Sequence, residues 1–174
     1  MVDVRTLLLL RHAKSSWADP LASDHDRPLA PRGERAAQRI AEHVRTAGIR
    51  PELVLCSSAR RTRDTLDLLR PVLEASSEIR IEDDLYGADA REMLDRLRIV
   101  DAAVSSAMII GHNPALQELA LALAGDGVES AARQLRAKFP TCALVTLDVS
   151  GCDWAGLREG QGYLTSLVLP RHLP

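Results

Sequence analysis

Aromatic residues are nearly missing from this chain: one Phe, two Trp and two Tyr make up 3% of 174 residues. The core must therefore be aliphatic, built on Leu, Val, Ile and Ala. Cysteine is also scarce. Cys56, Cys142 and Cys152 form no close Cys-x-x-Cys pair, and an odd count fits a reducing compartment better than a disulfide framework. Cys56 and Cys142 lie in apolar runs and read as buried fillers. There is no excess of one charge: 22 cations meet 24 anions, for a net charge of −2, with no basic block. That argues against nucleic-acid binding through a phosphate footprint. No apolar run reaches membrane-spanning length. Residues 7–10 are too short, and too close to Arg5 and Arg11, for a signal-peptide core. The remaining composition, 46% hydrophobic and 26% charged, is that of a soluble globular protein. The expectation is one cytoplasmic domain over residues 1–174, with no membrane or nucleic-acid partner.

What is present is organised around Leu7-Leu8-Leu9-Leu10-Arg11-His12. Four consecutive leucines bounded by polar residues read as a strand buried on both faces. Arg11 and His12 then sit where strand becomes loop. In an open α/β sheet that edge is where ligands bind. An isolated Arg-His pair there is ordinarily a polar cap, but beside a phosphate-sized anion such a histidine can act as a nucleophile. Residues 13–31 show no period and are punctuated by Pro20, Pro28 and Pro31. A loop of that length in a compact domain is functional or disordered. Within it, Asp24-His25-Asp26 is a poor metal site, since adjacent residues rarely chelate one ion.

Periodicity predicts a helix from Gly33 to Gly48, on Ala36, Ala37, Ile40, Ala41 and Val44. Leu53–Cys56 reads as a second buried strand. A helix with Ser58 as N-cap follows, with Leu66, Leu69 and Leu73 as its stripe. Ile79–Ile81 alternates like a strand, and residues 90–100 are helical. Ala107–Ile110 is a third buried strand, ending in Gly111-His112-Asn113-Pro114. Pro114 suits the first turn of a helix carrying Leu116, Leu119 and Leu123. Gly125-Asp126-Gly127 closes that helix, and residues 128–140 are ambiguous. Residues 143–147 and 163–169 are the last strands, with a turn around Trp154 between them. Alternating strands and helices predict an α/β three-layer sandwich, a mostly parallel central sheet with helices on both faces.

Three buried strands thus end in polar clusters: Arg11-His12, Ser57 to Arg61, and His112-Asn113. If the strands are parallel neighbours, these clusters converge. The pocket would hold two arginines, two histidines and several backbone N–H groups, with no carboxylate. Guanidinium forks match phosphate oxygens, and unpaired cations so close together would repel one another. A doubly negative tetrahedral anion relieves that repulsion.

The order of these motifs resembles the histidine phosphatase superfamily: Arg11-His12, Ser-x-x-x-Arg-Thr-x-x-Thr at 57–65, and Gly111-His112. Further segments resemble its small SixA-like phosphohistidine phosphatase branch. These are Arg-His-Ala-Lys-Ser-Ser-Trp at 11–17, Asp-His-Asp-Arg-Pro-Leu at 24–29 with Arg32-Gly33, Leu85-Tyr86, Gly111-His112-Asn113-Pro114 and Lys138-Phe139-Pro140-Thr141. Ala13 departs from the glycine found in many members, which is tolerable where no positive φ is needed. The resemblance implies a phosphoglycerate mutase-like fold and a metal-independent, cofactor-free phosphatase. His12 would be transiently phosphorylated. Arg11, Arg61 and His112 would hold the phosphoryl oxygens, with Ser57 and Asn113 as further donors. His12 should be neutral, its second nitrogen bonded to a fixed acceptor, and His112 protonated beside the dianion.

The leaving group separates substrates. An alkoxide wants a general acid, which relatives place near Asp83 or Asp84 here, although with Glu82 these also suit a solvated turn. The imidazole of phosphohistidine, with a pKa of roughly 6.5, leaves without such help. A chain this short leaves little for a large cap, and an uncovered pocket suits a protein side chain. The expected partner is a phosphorylated protein carrying phosphohistidine, with inorganic phosphate as product. The alternatives are a phosphomonoesterase for a small phosphorylated metabolite or nucleotide, and a non-catalytic phosphoprotein-binding module. Trp17 would line the pocket mouth or pack on the core edge. His25, His43 and His172 read as surface residues.

Overall fold

The four leucines lie in the centre of a sheet that has seven strands among the described residues. The computed structural model describes residues 4–174. Its strands are β1 (Val4–Arg11), β2 (Leu53–Ser57), β3 (Glu78–Glu82), β4 (Ser106–Gly111), β5 (Ala124–Gly127), β6 (Leu144–Ser150) and β7 (Gly162–Val168). The helices are α1 (Pro31–Thr46), α2 (Arg60–Leu69), α3 (Ala90–Arg98), α4 (Ala115–Leu123) and α5 (Glu129–Ala137). Strands β3, β2, β4 and β1 run parallel, and so do β5 and β7, whereas β6 is antiparallel to both its neighbours.

Strand alternation explains why all four leucines are apolar. Leu8 and Leu10 enter a core with Ala37, Ile40 and Val44 of α1 and Leu66 and Leu69 of α2. Leu7 and Leu9 enter the other core, with Met93 and Leu97 of α3, Leu116 and Leu119 of α4, and Leu135 of α5. Helices thus cover both faces, as the alternating pattern predicts. Phe139 and Trp154 are fully buried, and the Trp154 indole donates to the Val104 carbonyl at 2.7 Å. Among the described residues no helix is long and apolar enough to cross a membrane.

The boundaries differ from expectation in a few places. Ser58 does not cap α2; Ala59 occupies the cap position without a side-chain hydrogen bond, and Ser58 turns to His25. Leu73 lies beyond α2, after a short 3-10 turn. The glycines after α4 form an edge strand, β5, paired with β7. The ambiguous segment contains α5, whose buried residues are Ala131 and Leu135. Pro114 precedes α4 as its cap.

The long loop after β1 is ordered by pairing with itself. Ser15 bridges Leu29, Ser16 N–H donates to the Pro28 carbonyl and Ala30 N–H to the Lys14 carbonyl. Gly33, in the first turn of α1, presses against this loop. A Cβ there would sit 2.2 Å from the Lys14 carbonyl oxygen. Gly33→Ala should therefore cost about 2 kcal/mol through overpacking, lowering the melting temperature by about 4–8 °C for a chain of this size. Thermal unfolding checks this; an unchanged melting temperature would show that the contact has slack.

Candidate active site

Strand register gathers the site. Arg11 pairs with Gly111 across β1 and β4, and Cys56 pairs with Ile110 across β2 and β4. The residues that follow, His12, His112 and Ser57, therefore emerge together at the carboxyl edge. The antiparallel β6 brings a closing turn to the same edge. Cys142 N–H donates to the carbonyls of both Arg11 and His12, at 3.0 and 3.1 Å. Cys142 adopts φ 61°, the sole positive φ among the described non-glycine residues. Ala13 thus needs no glycine. Its N–H donates to Thr65 Oγ1 at 3.0 Å, and its side chain is fully buried. Burial pushes the Cys56 and Cys142 thiols up to about 12, which suits inert fillers.

His12 is buried, and its Nδ1–H donates to the Ala13 carbonyl at 2.8 Å. That bond selects the tautomer and leaves the lone pair on Nε2. Burial first, and then His112, Arg61 and Arg11, lower its pKa to about 3. The His112 ring lies 5.2 Å away, centre to centre. Its Nε2 is 2.7 Å from Ser57 Oγ, and its Nδ1 accepts from Arg61 Nη2 at 3.3 Å. Accepting from a guanidinium requires a neutral ring, and burial followed by Arg61 lowers the His112 pKa to about 4. Protonation of His112, expected from the sequence, is thus opposed by its surroundings and would need an added anion.

Arg11 donates to the Phe139 carbonyl at 2.9 Å. Burial and Arg61 lower its pKa, as two close guanidiniums require. Asn113 departs from expectation. Its amide Nδ2 donates to Phe139 O at 3.1 Å and Gln117 Oε1 at 3.2 Å. Those donors hold the backbone that also anchors Arg11.

The sequence reading that no carboxylate enters the pocket is wrong. Asp24 accepts from Arg61 Nη2 at 3.1 Å through Oδ2, from Arg27 Nη2 at 2.7 Å through Oδ1, and from Tyr86 O–H at 2.8 Å. Its backbone carbonyl takes Arg61 Nη1 at 2.6 Å. The Tyr86 hydroxyl and the two guanidiniums hold its carboxyl well below the usual range. Tyr86 also sets its ring edge-on to His112 and His25. His25, expected on the surface, is tied to Ser58 by a ring nitrogen and accepts Arg60 N–H at its carbonyl. Trp17 is 72% exposed, so it does not pack on the core; the Arg27 guanidinium stacks on it at 3.6 Å.

Asp83 and Asp84 lie exposed on a 3-10 turn after β3. Neither joins the hydrogen-bonded network around His12, and Asp84 lines a separate hollow with Glu82, Glu92 and Arg96. The turn supplies Tyr86 to the site, through its hydroxyl on Asp24.

The two depressed histidines predict a pH effect on stability. Between about pH 6.5 and 4 the unfolded chain binds protons at both positions while the folded chain stays neutral. The unfolded state then holds more protons, so stability falls as pH falls through this window. Urea midpoints measured across it should decline with acidity, and less so in His12→Asn. A flat or rising profile would contradict the neutral assignment.

The model for the histidine phosphatase superfamily (branch 1) matches residues 7–97. An uncharacterized protein of Mycobacterium leprae is 37% identical over 167 residues, 93% of this chain and 100% of that protein. The chain is also similar to the solved structure of a proposed phosphohistidine phosphatase SixA from Nakamurella multipartitia. That likeness has a TM-score of 0.83 at 32% identity and covers 96% of both chains. A corresponding structure from Agrobacterium tumefaciens gives 0.80 at 30% identity, over 95% of this chain and 98% of that one.

Proposed function

Because the chain belongs to the histidine phosphatase superfamily, in its SixA-like branch, and is a phosphatase, we propose that it hydrolyses phosphohistidine on a protein through a phosphorylated His12. The observation that carries this reading is the His12 ring, locked by the Ala13 carbonyl with its Nε2 lone pair free. Nε2 attacks phosphorus in line, forming an N–P bond as the bond to the leaving imidazole breaks. The departing nitrogen takes its proton from solvent. Water then attacks the phosphorylated His12, releasing inorganic phosphate and restoring the neutral ring.

Arg11, Arg61 and His112 receive the phosphoryl oxygens, where charge shifts in the transition state. A bound dianion raises the His112 pKa and can protonate it, since opposite charge favours the cation. Ser57 would fix the His112 ring, and Asn113 would act at one remove, by holding the Phe139 carbonyl under Arg11. No metal or cofactor enters this scheme.

The charge state of the site supports a good leaving group. Asp24 is the carboxylate within the network, and it is held ionised by Tyr86, Arg27 and Arg61, so it is a poor acid. A phosphoramidate leaves without one; an alkyl phosphate does not. The expected order of kcat/KM is phosphohistidine peptide, then p-nitrophenyl phosphate, then glycerol phosphate by a wide margin. Asp83→Asn and Asp84→Asn should leave all three within about twofold, as surface changes do. Faster turnover of the alkyl ester, or its selective loss in either variant, would favour a phosphomonoesterase for a small metabolite.

A further inference from the structure

Arg11 lines a hollow of about 620 Å³ that carries seven cations and no carboxylate. Arg32, Arg35 and Arg39 share one face of α1, at spacings of three and four residues. They form an exposed stripe roughly 10 Å long at 1.5 Å per residue. Lys14, Lys138 and Arg171 complete the lining. The hollow thus holds both lysines of a chain whose net charge is −2.

None of these seven side chains has an acidic partner among the described residues. Eleven other arginines do, from Arg27 to Arg136. Acidic residues are available on the same helix, where Glu42 pairs with Arg45 instead. Leaving these cations unpaired costs stability by mutual repulsion, a cost that an anionic ligand removes. The apolar lining is small, Ala36, Pro140, Leu169 and Pro170, with no ring to stack a base. The groove therefore reads charge rather than shape.

We propose that this groove docks an acidic segment of the phosphorylated protein, beside the residue presented to His12. The inference rests on the phosphoprotein reading above and names the partner's chemistry. Guanidinium forks suit carboxylates. An extended chain rising about 3.3 Å per residue places roughly three residues along the α1 stripe. Because Arg11 lines the groove and directly precedes His12 in the chain, a segment in the groove lies beside the residue presented to His12.

The test compares a glutamate-flanked phosphohistidine peptide with its glutamine-flanked counterpart. The wild type should prefer the first by about tenfold in kcat/KM at low salt, with the preference shrinking as salt rises. Arg35→Glu combined with Arg39→Glu should erase the preference and leave p-nitrophenyl phosphate turnover unchanged. Equal turnover of the two peptides by the wild type, or a preference that survives the double reversal, overturns the proposal. If p-nitrophenyl phosphate is hydrolysed and neither peptide is, the substrate reading fails. Docking is then decided by fluorescence anisotropy of the unphosphorylated glutamate peptide. Tighter binding to wild type than to the double variant supports the groove, and equal or absent binding sinks it. Inorganic tripolyphosphate that displaces the peptide and is itself hydrolysed would assign the groove to a small oligophosphate and overturn the peptide assignment.

Discussion

His12→Ala should lower turnover of p-nitrophenyl phosphate by roughly ten-thousandfold or more, to the level left by phosphate binding alone. The expectation follows from the role of one lone pair. Nδ1 is committed to the Ala13 carbonyl, so Nε2 is the nitrogen free to form a bond. Arg11, Arg61 and His112 do not depend on the imidazole for their anchors. Phosphate should therefore still stabilise the variant against heat, following the mass-action shift of a bound ligand. His12→Gln provides a second reading, since its amide retains a donor for the pocket without nucleophilic capacity. Loss of turnover with retained phosphate stabilisation is the predicted combination. Residual turnover within about tenfold of wild type would assign the nucleophile elsewhere.

Arg61→Ala should produce the next largest loss, about a thousandfold in kcat/KM. Arg61 is nearly buried and bonds the Asp24 carbonyl, the Asp24 carboxylate and His112 together. Its removal takes a positive charge from the phosphoryl group and leaves His112 without its Nδ1 partner. Arg61→Lys should recover little, because a single ammonium cannot span those three acceptors. Asp24→Asn is the informative neighbour. Its backbone carbonyl still receives Arg61, so the arginine stays placed. The side-chain amide no longer offers Tyr86, Arg27 and Arg61 a full negative charge, and about a tenfold loss is expected. An Asp24→Asn loss equal to that of Arg61→Ala would mean that the carboxylate itself takes part in the chemistry.

The sheet was legible because its central strands are uninterrupted aliphatic runs that end abruptly in polar residues. Leu7–Leu10, Leu53–Cys56 and Ala107–Ile110 leave little choice of conformation, and their ends name His12, Ser57 and His112. Helix α1 was legible from its apolar stripe. Strand β5 and helix α5 were not, since Ala124–Gly127 is short and glycine-rich and Glu129–Ala137 buries Ala131 and Leu135 alone. Asp24, His25 and Tyr86 lie in segments that carry the family resemblance, yet no site role could be read for them, because they reach the site through loop closure, which no period records. One signal could have found Asp24. Two arginines gathered at one strand edge need a counter-charge, and the acidic run inside the adjoining loop is the nearest source. Asn113 is a different case. Adjacency to His112 suggested a shared target, but its amide turns to the Phe139 carbonyl.

The most direct measurement is to mix the enzyme with a phosphorylated substrate, quench it in base within one turnover, and map the covalent phosphoryl group by tandem mass spectrometry. The account predicts an acid-labile, base-stable phosphoryl group on His12, attached at Nε2, forming and decaying at rates that support turnover. A phosphoryl group on any other residue, or turnover through which His12 remains unmodified at every time point, would contradict it.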